Sequence, residues 1–177
     1  MGDLSGLTKP ARRFCLEALC GIAVRKSVRL SEITRSLHEK IALIKTENRL
    51  SRQAARPGLC EALTRFVIEQ SAHRVRDDTL LVIDPSDLAK KHGRKMEHIA
   101  RVRDGSRGGC ANGYWLCQVV AVECGGREIT PLVGPLWSQA APGHLSENDE
   151  APACVRAVAD VVGSKGIWVT DRGGGTA

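Results

Sequence analysis

Along this chain of 177 residues, apolar positions recur first with a helical period and later with a strand period. In residues 8–73 the spacing is near three and four, as in helices that bury one side. Thr8 is placed to cap the first helix, with Lys9 and Pro10 in its first turn, where proline is tolerated. Phe14, Leu16, Leu19, Ile22 and Ala23 form its apolar stripe. A second helix fits Leu30–Glu39, with Leu30, Ile33 and Leu37 on one face. A third fits Thr46–Ala55, ahead of the Pro57-Gly58 break. A fourth runs from about Leu59 to Ala72. After Asp77-Asp78 the pattern changes. Thr79–Ile83 is a short apolar run ending on Asp84, and Pro85, lacking an N–H, is expected to stop it. Tyr114–Cys124 is apolar on both faces, as in a central strand. Gly125-Gly126 reads as a two-residue hairpin turn, returning through Arg127–Val133, where Pro131 marks an edge or bulge. A polar loop covers residues 138–147. A helix follows from about Asn148 to Val162, opened by Ser146 and closed by Gly163. Gly166–Thr170 is a last apolar run, ending on Asp171.

This order predicts two parts: a helical domain over residues 1–76 and an α/β domain over 77–177. Charge sharpens the division. The first part holds 15 Lys/Arg against 7 Asp/Glu, and the second 11 against 13. A basic part joined to a mildly acidic one suggests polyanion binding beside a site that gathers carboxylates. The second and third helices could act as a helix-turn-helix, with Arg49 and Arg52 facing phosphates; equally, a basic amphipathic face can be only a solvated one. Aromatic residues make up 3% of the chain, too few for base stacking to dominate binding. Seven Cys occur without a CxxC or a metal-ligand spacing, and several sit in apolar runs where Cys packs as a small hydrophobe. No apolar run approaches the ~20 residues of a membrane span, so no membrane partner is expected. With no secretory signal at the start, the expectation is a reduced, cytoplasmic protein. Trp115 and Trp168 are expected in the core.

The candidate chemistry lies at the two strand ends. Two long crossovers separate Asp84 from Asp171, so their strands can be parallel neighbours, with both carboxylates at one edge of the sheet. Carboxylates held close repel unless a cation binds between them, and Mg²⁺ prefers such hard oxygens while keeping positions for water and phosphate. The basic segment after Asp84, with Lys90, Lys91, Arg94 and Lys95, is suited to hold a nucleic-acid backbone. Asp87 is placed to hold Lys90 or a backbone N–H, or to support a metal ligand from behind. His92 and His98 lie among the basic residues and are read as surface or DNA-facing. Arg172 could meet a phosphate or pair with Asp171.

Taken together, the strings VIDPSDLAKKHGRKMEHIARVRDGS, GYWL, LSENDE and GIWVTDRGG resemble the DDE transposases of bacterial insertion sequences. The order of elements resembles a ribonuclease-H-like core. The resemblance covers about residues 77–175 well and the helical part loosely. It implies an α/β fold, an incomplete ribonuclease-H-like mixed sheet preceded by a small helical domain. It implies that Asp84 and Asp171 are the first two acidic residues of a metal-binding triad using Mg²⁺ (or Mn²⁺). The reaction implied is hydrolysis at a transposon end, followed by attack of the freed 3′-hydroxyl on target DNA. The partner implied is double-stranded DNA, both transposon ends and target, with the helical part recognising the terminal repeats. Oligomeric state is left open.

The chain departs from the family at one point. The third acidic residue, a Glu, is expected well downstream of the second Asp, yet only Arg172, Gly173, Gly174, Gly175, Thr176 and Ala177 follow Asp171. Glu147 and Glu150 precede it. The resemblance is therefore to the front part of a transposase. Two other readings stand beside it: a catalytically inactive, truncated DNA-binding protein that competes for transposon ends, and a different ribonuclease-H-like nuclease.

Overall fold

The computed structural model describes residues 7–90, 92–93, 95–105, 108–126, 128–144 and 146–170. They form five helices and a six-stranded mixed sheet, in two units, Met1–Phe66 and Val67–Ala177. Residues 67–76, grouped above with the helical part, belong to the second unit.

The first unit contains α1 (Lys9–Arg25), α2 (Leu30–Ser36), α3 (Leu43–Ala54) and the start of α4 (Leu59–Ser71). All four helices were expected, but several details differ. Thr8 is the N-cap of α1 without a side-chain cap bond; its Oγ1 instead accepts a hydrogen bond from Arg56 Nη1 at 2.8 Å. The buried side of α1 is Ala11, Cys15 and Gly21, whereas Leu16 and Leu19 of the expected stripe are 61% and 66% exposed. The reason is close approach. A Cβ on Gly21 would lie 2.6 Å from Ile33 Cγ2 of α2, so small residues are needed where these helices meet. Ala11 and Cys15 join Leu7 and Leu59 in a small core, with Phe14, Ala62 and Leu63 packed against it. Lys26, in the left-handed region, ends α1 by donating its N–H to Ile22 O. α2 ends at Ser36, short of the expected Glu39, which frees Glu39 for the ion cluster described below.

The second unit is built on β1 (Leu80–Ala89), β2 (Ala100–Asp104), β3 (Gly109–Val122), β4 (Ile129–Val133), β5 (Leu136–Trp137), α5 (Glu147–Val162) and β6 (Ile167–Thr170). The main sheet path is β2-β3-β1-β6, with β4 and β5 also paired to β3. β1 is antiparallel to β3 and parallel to β6, the neighbour relation expected for the two acidic strands. Five sequence expectations need correction. First, β1 runs through Pro85 to Ala89. Cys117, directly opposite Pro85, sends its N–H to Pro135 O on its other side. The pair is therefore a non-hydrogen-bonded one, and the missing proline N–H falls away from β3, beyond the last described β1–β6 pair, Ile83–Thr170. Second, β3 starts at Gly109, earlier than Tyr114, and ends at Val122. Third, the last β3–β4 pair is Val122–Ile129, so the two strands are not joined by a two-residue turn. Fourth, β2 and β5 were not anticipated: one is masked by its arginines and the other has two residues. Fifth, Trp168 is 37% exposed and is not core. Pro131 does sit next to a bulge, with the register shifting between Val119 and Val120. Ser146 caps α5 by accepting from Asn148 N, and Gly163 ends it at a positive φ.

Successive strand residues point to opposite faces. On one face Leu81, Cys117, Val119 and Ala121 pack with Leu132 and with Cys154, Val158 and Val162 of α5. Each fully buried aliphatic side chain there contributes roughly 1.5–3 kcal/mol. The opposite face carries Leu80, Val82, Asp84 and Ser86 of β1, paired with Val122, Val120, Gln118 and Leu116 of β3. None of these eight residues belongs to the α5-covered core.

Candidate functional site

Asp84 lies on the face away from α5, opposite Gln118, and both are exposed. Because β1 continues to Ala89, Asp84 lies within the strand and not at its end, and its side chain is open to solvent. The residue before Asp84, Ile83, pairs with Thr170, and Thr170 precedes Asp171 in the sequence. Asp171 and Arg172 lie outside the described residues, as do Lys91 and Arg94. Asp84 offers one hard oxygen donor of the kind Mg²⁺ takes. Among the described residues no group of three or more His, Cys, Asp or Glu could hold a metal ion.

The basic segment after β1 is fastened to the same face. Asn112 and Tyr114 have the parity of Gln118, so their side chains leave β3 on Asp84's side. Asn112 Nδ2 donates to Gly93 O at 3.4 Å, and Tyr114 Oη donates to Glu97 O at 2.5 Å. Ser138 Oγ donates to His98 O at 2.5 Å. Lys90 N donates to Asn112 O at 2.6 Å, extending the ladder by one residue. Inside the loop a Cβ on Gly93 would lie 2.9 Å from both Ile99 Cδ1 and Met96 Sδ, so the turn is closed on its own apolar side chains. The loop thereby exposes His92 and Lys95, while Arg101 and Arg103 of β2, opposite Asn112 and Cys110, add exposed cations on that face. His98 Nε2 is 3.3 Å from Glu97 Oε1. Sequence reading missed Asn112, Tyr114 and Ser138, because nothing in their spacing marks them as anchors of a distant loop.

The other expected residues have different surroundings. Asp87 Oδ1 accepts the backbone N–H of Gly105 at 3.2 Å, one of its three expected roles. Arg52 is exposed and donates through Nε to Asn48 O. Arg49 is tied into an ion cluster: Nη1 is 2.5 Å from Glu17 Oε2 and Nη2 is 2.9 Å from Glu39 Oε1. Arg13 reaches the same two carboxylates, and Thr46 Oγ1 donates to Glu39 Oε2. These contacts give Arg49 a structural task within the helical unit.

On the α5-covered face, Cys117 and Cys154 are buried and their thiols share a hydrogen bond. Burial raises the Cys117 thiol above its ordinary value; the charges of Asp84 and Glu150 add to the rise, and the hydrogen bond to Cys154 opposes it. Burial pushes Cys154 to about 12, helped by its bond to Cys117. Thiolates are the reactive form, so these two should be inert. In native protein a disulfide-exchange reagent near pH 8 is expected to modify Cys20, Cys60, Cys110 and Cys124, and to reach buried Cys15, Cys117 and Cys154 only after denaturation. Rapid modification of Cys154 in the folded state would contradict this packing. Beyond Cys117, Trp115, Trp137 and His144 stack in a row, with centroids 5.7 and 5.1 Å apart. His144 Nδ1 lies 3.6 Å from Glu150 Oε1.

No helix among the described residues is long and apolar enough to cross a membrane. In comparisons with known proteins, no family model matches the chain and no curated protein matches it.

Proposed function

We propose that the chain belongs to a DNA transposase with a ribonuclease-H-like core, acting by Mg²⁺-dependent strand cleavage and strand transfer. The observation that carries this reading is the direct pairing of Ile83 with Thr170 on parallel neighbouring strands. Those residues immediately precede Asp84 and Asp171, the two carboxylates that the family resemblance singles out. The strand, hairpin, helix and strand order of the second unit also supports it. So does the exposure of the Asp84 side chain.

In this reading Asp84 and Asp171 hold the ion. When bound, the ion supplies Lewis-acid stabilisation of the attacking and leaving oxygens of a phosphodiester displacement. Asp84 supplies hard anionic oxygen at an open position on a rigid strand. Val82 and Ser86, two residues either side, keep its backbone in the β1 ladder with β3.

The test uses the purified full-length protein and DNA carrying the element's ends. Cleavage is expected with Mg²⁺, and Asp84→Asn is expected to abolish it while leaving the fold unchanged, since the side chain is exposed. Undiminished cutting by Asp84→Asn would overturn the assignment.

A further inference from the structure

We propose that the exposed side of α1 is an interface through which two copies of this chain pair, helix against antiparallel helix. The sequence pattern marks an apolar stripe on α1, yet the helical unit buries the other side, at Ala11, Cys15 and Gly21. Leu16, Leu19 and Val24 stay 61%, 66% and 70% exposed, with Cys20 and Ala23 exposed between them. At 3.6 residues per turn these five side chains fall within about 140° of the helix circumference. Glu17 is the only charged residue between Leu16 and Val24, and it is turned away into the ion pair with Arg49. The solvated side of a surface helix normally carries polar residues, and a contiguous apolar patch marks an interaction site.

The occupant that fits is a second copy. Small residues at the centre of the stripe, Cys20 and Ala23, let two helix axes approach closely, and larger ones, Leu16 and Val24, stand at its ends. An isologous pair repeats each contact about a two-fold axis. With the axis near Cys20 and the helices antiparallel, Leu16 of each copy meets Val24 of the other. Each Leu19 then lies over the other copy's Ala23, a large side chain on a small one. Charge selects the same direction. α1 begins with exposed Lys9 and Arg12 and has no acidic residue in its first turn. A parallel pair would bring these two basic ends together. An antiparallel pair sets each against the C-terminal end of the other helix, the negative end of its dipole, where Arg25 is already paired with Glu32 at 2.5 Å. Area sets the strength. A fully buried Leu or Val accounts for roughly 60–120 Å², so the stripe covers on the order of 300 Å² per copy, well under the ~800 Å² per partner of a standard interface. The dimer is therefore weak and dissociates on dilution.

The experiment is sedimentation velocity of the full chain in reductant, from about 5 to about 200 µM. A rising dimer fraction is expected, with nothing larger than the dimer, because a two-fold contact closes. Leu16→Glu/Leu19→Glu is expected to weaken the dimer by more than about tenfold, since each carboxylate would be covered without a partner. Helical circular dichroism should stay unchanged, because both side chains are exposed. Ile44→Glu alters an exposed apolar residue of α3 and is expected to leave the dimer as it is. In a chain whose Cys60, Cys110 and Cys124 are replaced by Ser, Cys20 is the one exposed thiol. Diamide oxidation of that chain is expected to give a covalent dimer, lost on adding Cys20→Ser. A chain still monomeric at the highest concentration would overturn the pairing and assign the stripe to a partner other than this chain. An equal loss in Ile44→Glu, or growth beyond the dimer, would overturn it too. Absence of the covalent dimer, or its survival in Cys20→Ser, would overturn the crossing at Cys20. These measurements use neither DNA nor divalent ions, so they stand apart from the cleavage reading at Asp84.

Discussion

Gly113→Ala is expected to destabilise the second unit by about 3 kcal/mol, the upper part of the range for forcing a methyl into a packed site. Gly113 is paired on both sides, with Ala89 of β1 and Ala100 of β2. A Cβ there would lie 2.5 Å from Leu88 O and 2.7 Å from Val102 Cγ2. The valine is buried in place, and the carbonyl oxygen belongs to a strand already held in the ladder. Neither can retreat without shifting one strand against another. Urea denaturation followed by fluorescence of Trp115 and Trp137 should show a lower midpoint with little change in slope. Adding Val102→Ala should not restore stability, because it relieves only the side-chain contact and opens a cavity. A loss under about 0.5 kcal/mol, the scale of neutral surface changes, would show that the strands yield more easily than this close approach implies.

Arg49→Leu is expected to cost the helical unit about 2–3 kcal/mol near neutral pH. The magnitude lies between two limits. Exposed ion pairs contribute at most about 1 kcal/mol, whereas removing one partner of a buried pair costs about 3–5. Here the side chains of Arg49, Glu17 and Glu39 are 28%, 15% and 22% exposed, so solvent screens them partly. The variant leaves two carboxylates close together with Arg13 as their remaining cation. The pH dependence follows from Glu39, whose carboxyl is held below its usual range first by the hydrogen bond from Thr46 and then by the hydrogen bond and charge of Arg49. A carboxyl depressed in the folded state contributes stability above its unfolded pKa and loses it as pH falls through the folded one. Stability of the parent unit should therefore decline from about pH 4 downwards, and the difference between parent and Arg49→Leu should narrow there. Helical circular dichroism during thermal unfolding at several pH values measures both effects. A gap that stays constant into acid would mean that the carboxylates do not mediate it.

This cluster also shows what a local reading of the sequence leaves out. Arg49 sits on a basic helix and looks available for phosphate. Its partners come from positions 32 residues earlier and 10 earlier, and no local pattern reveals such pairing. Arg52, three residues on, keeps its exposure. The stripe of α1 failed for a related reason. Hydrophobic periodicity picked out Leu16 and Leu19, but the side that meets α2 needs small residues, and Gly21 against Ile33 sets that requirement.

The local patterns of the sequence were enough to determine that the helices and the long strands exist, the switch from one to the other near residue 79, the Ser146 cap, the Gly163 stop and an edge or bulge at Pro131. Each depends on nearest neighbours in the chain: side-chain periodicity, caps, and backbone groups that proline or glycine removes or frees. Tertiary structure alone decided that β1 continues past Pro85, because the side of the strand lacking an N–H faces away from β3. It decided that Asp84 is exposed on the face opposite α5, since strand parity assigns a face only after the sheet's covered side is known. It also decided that the basic loop is fastened to Asp84's face, through hydrogen bonds spanning 17 to 40 residues. Such bonds depend on the register of β3 against its neighbours, which is set by packing across the whole sheet and not by any short stretch of chain.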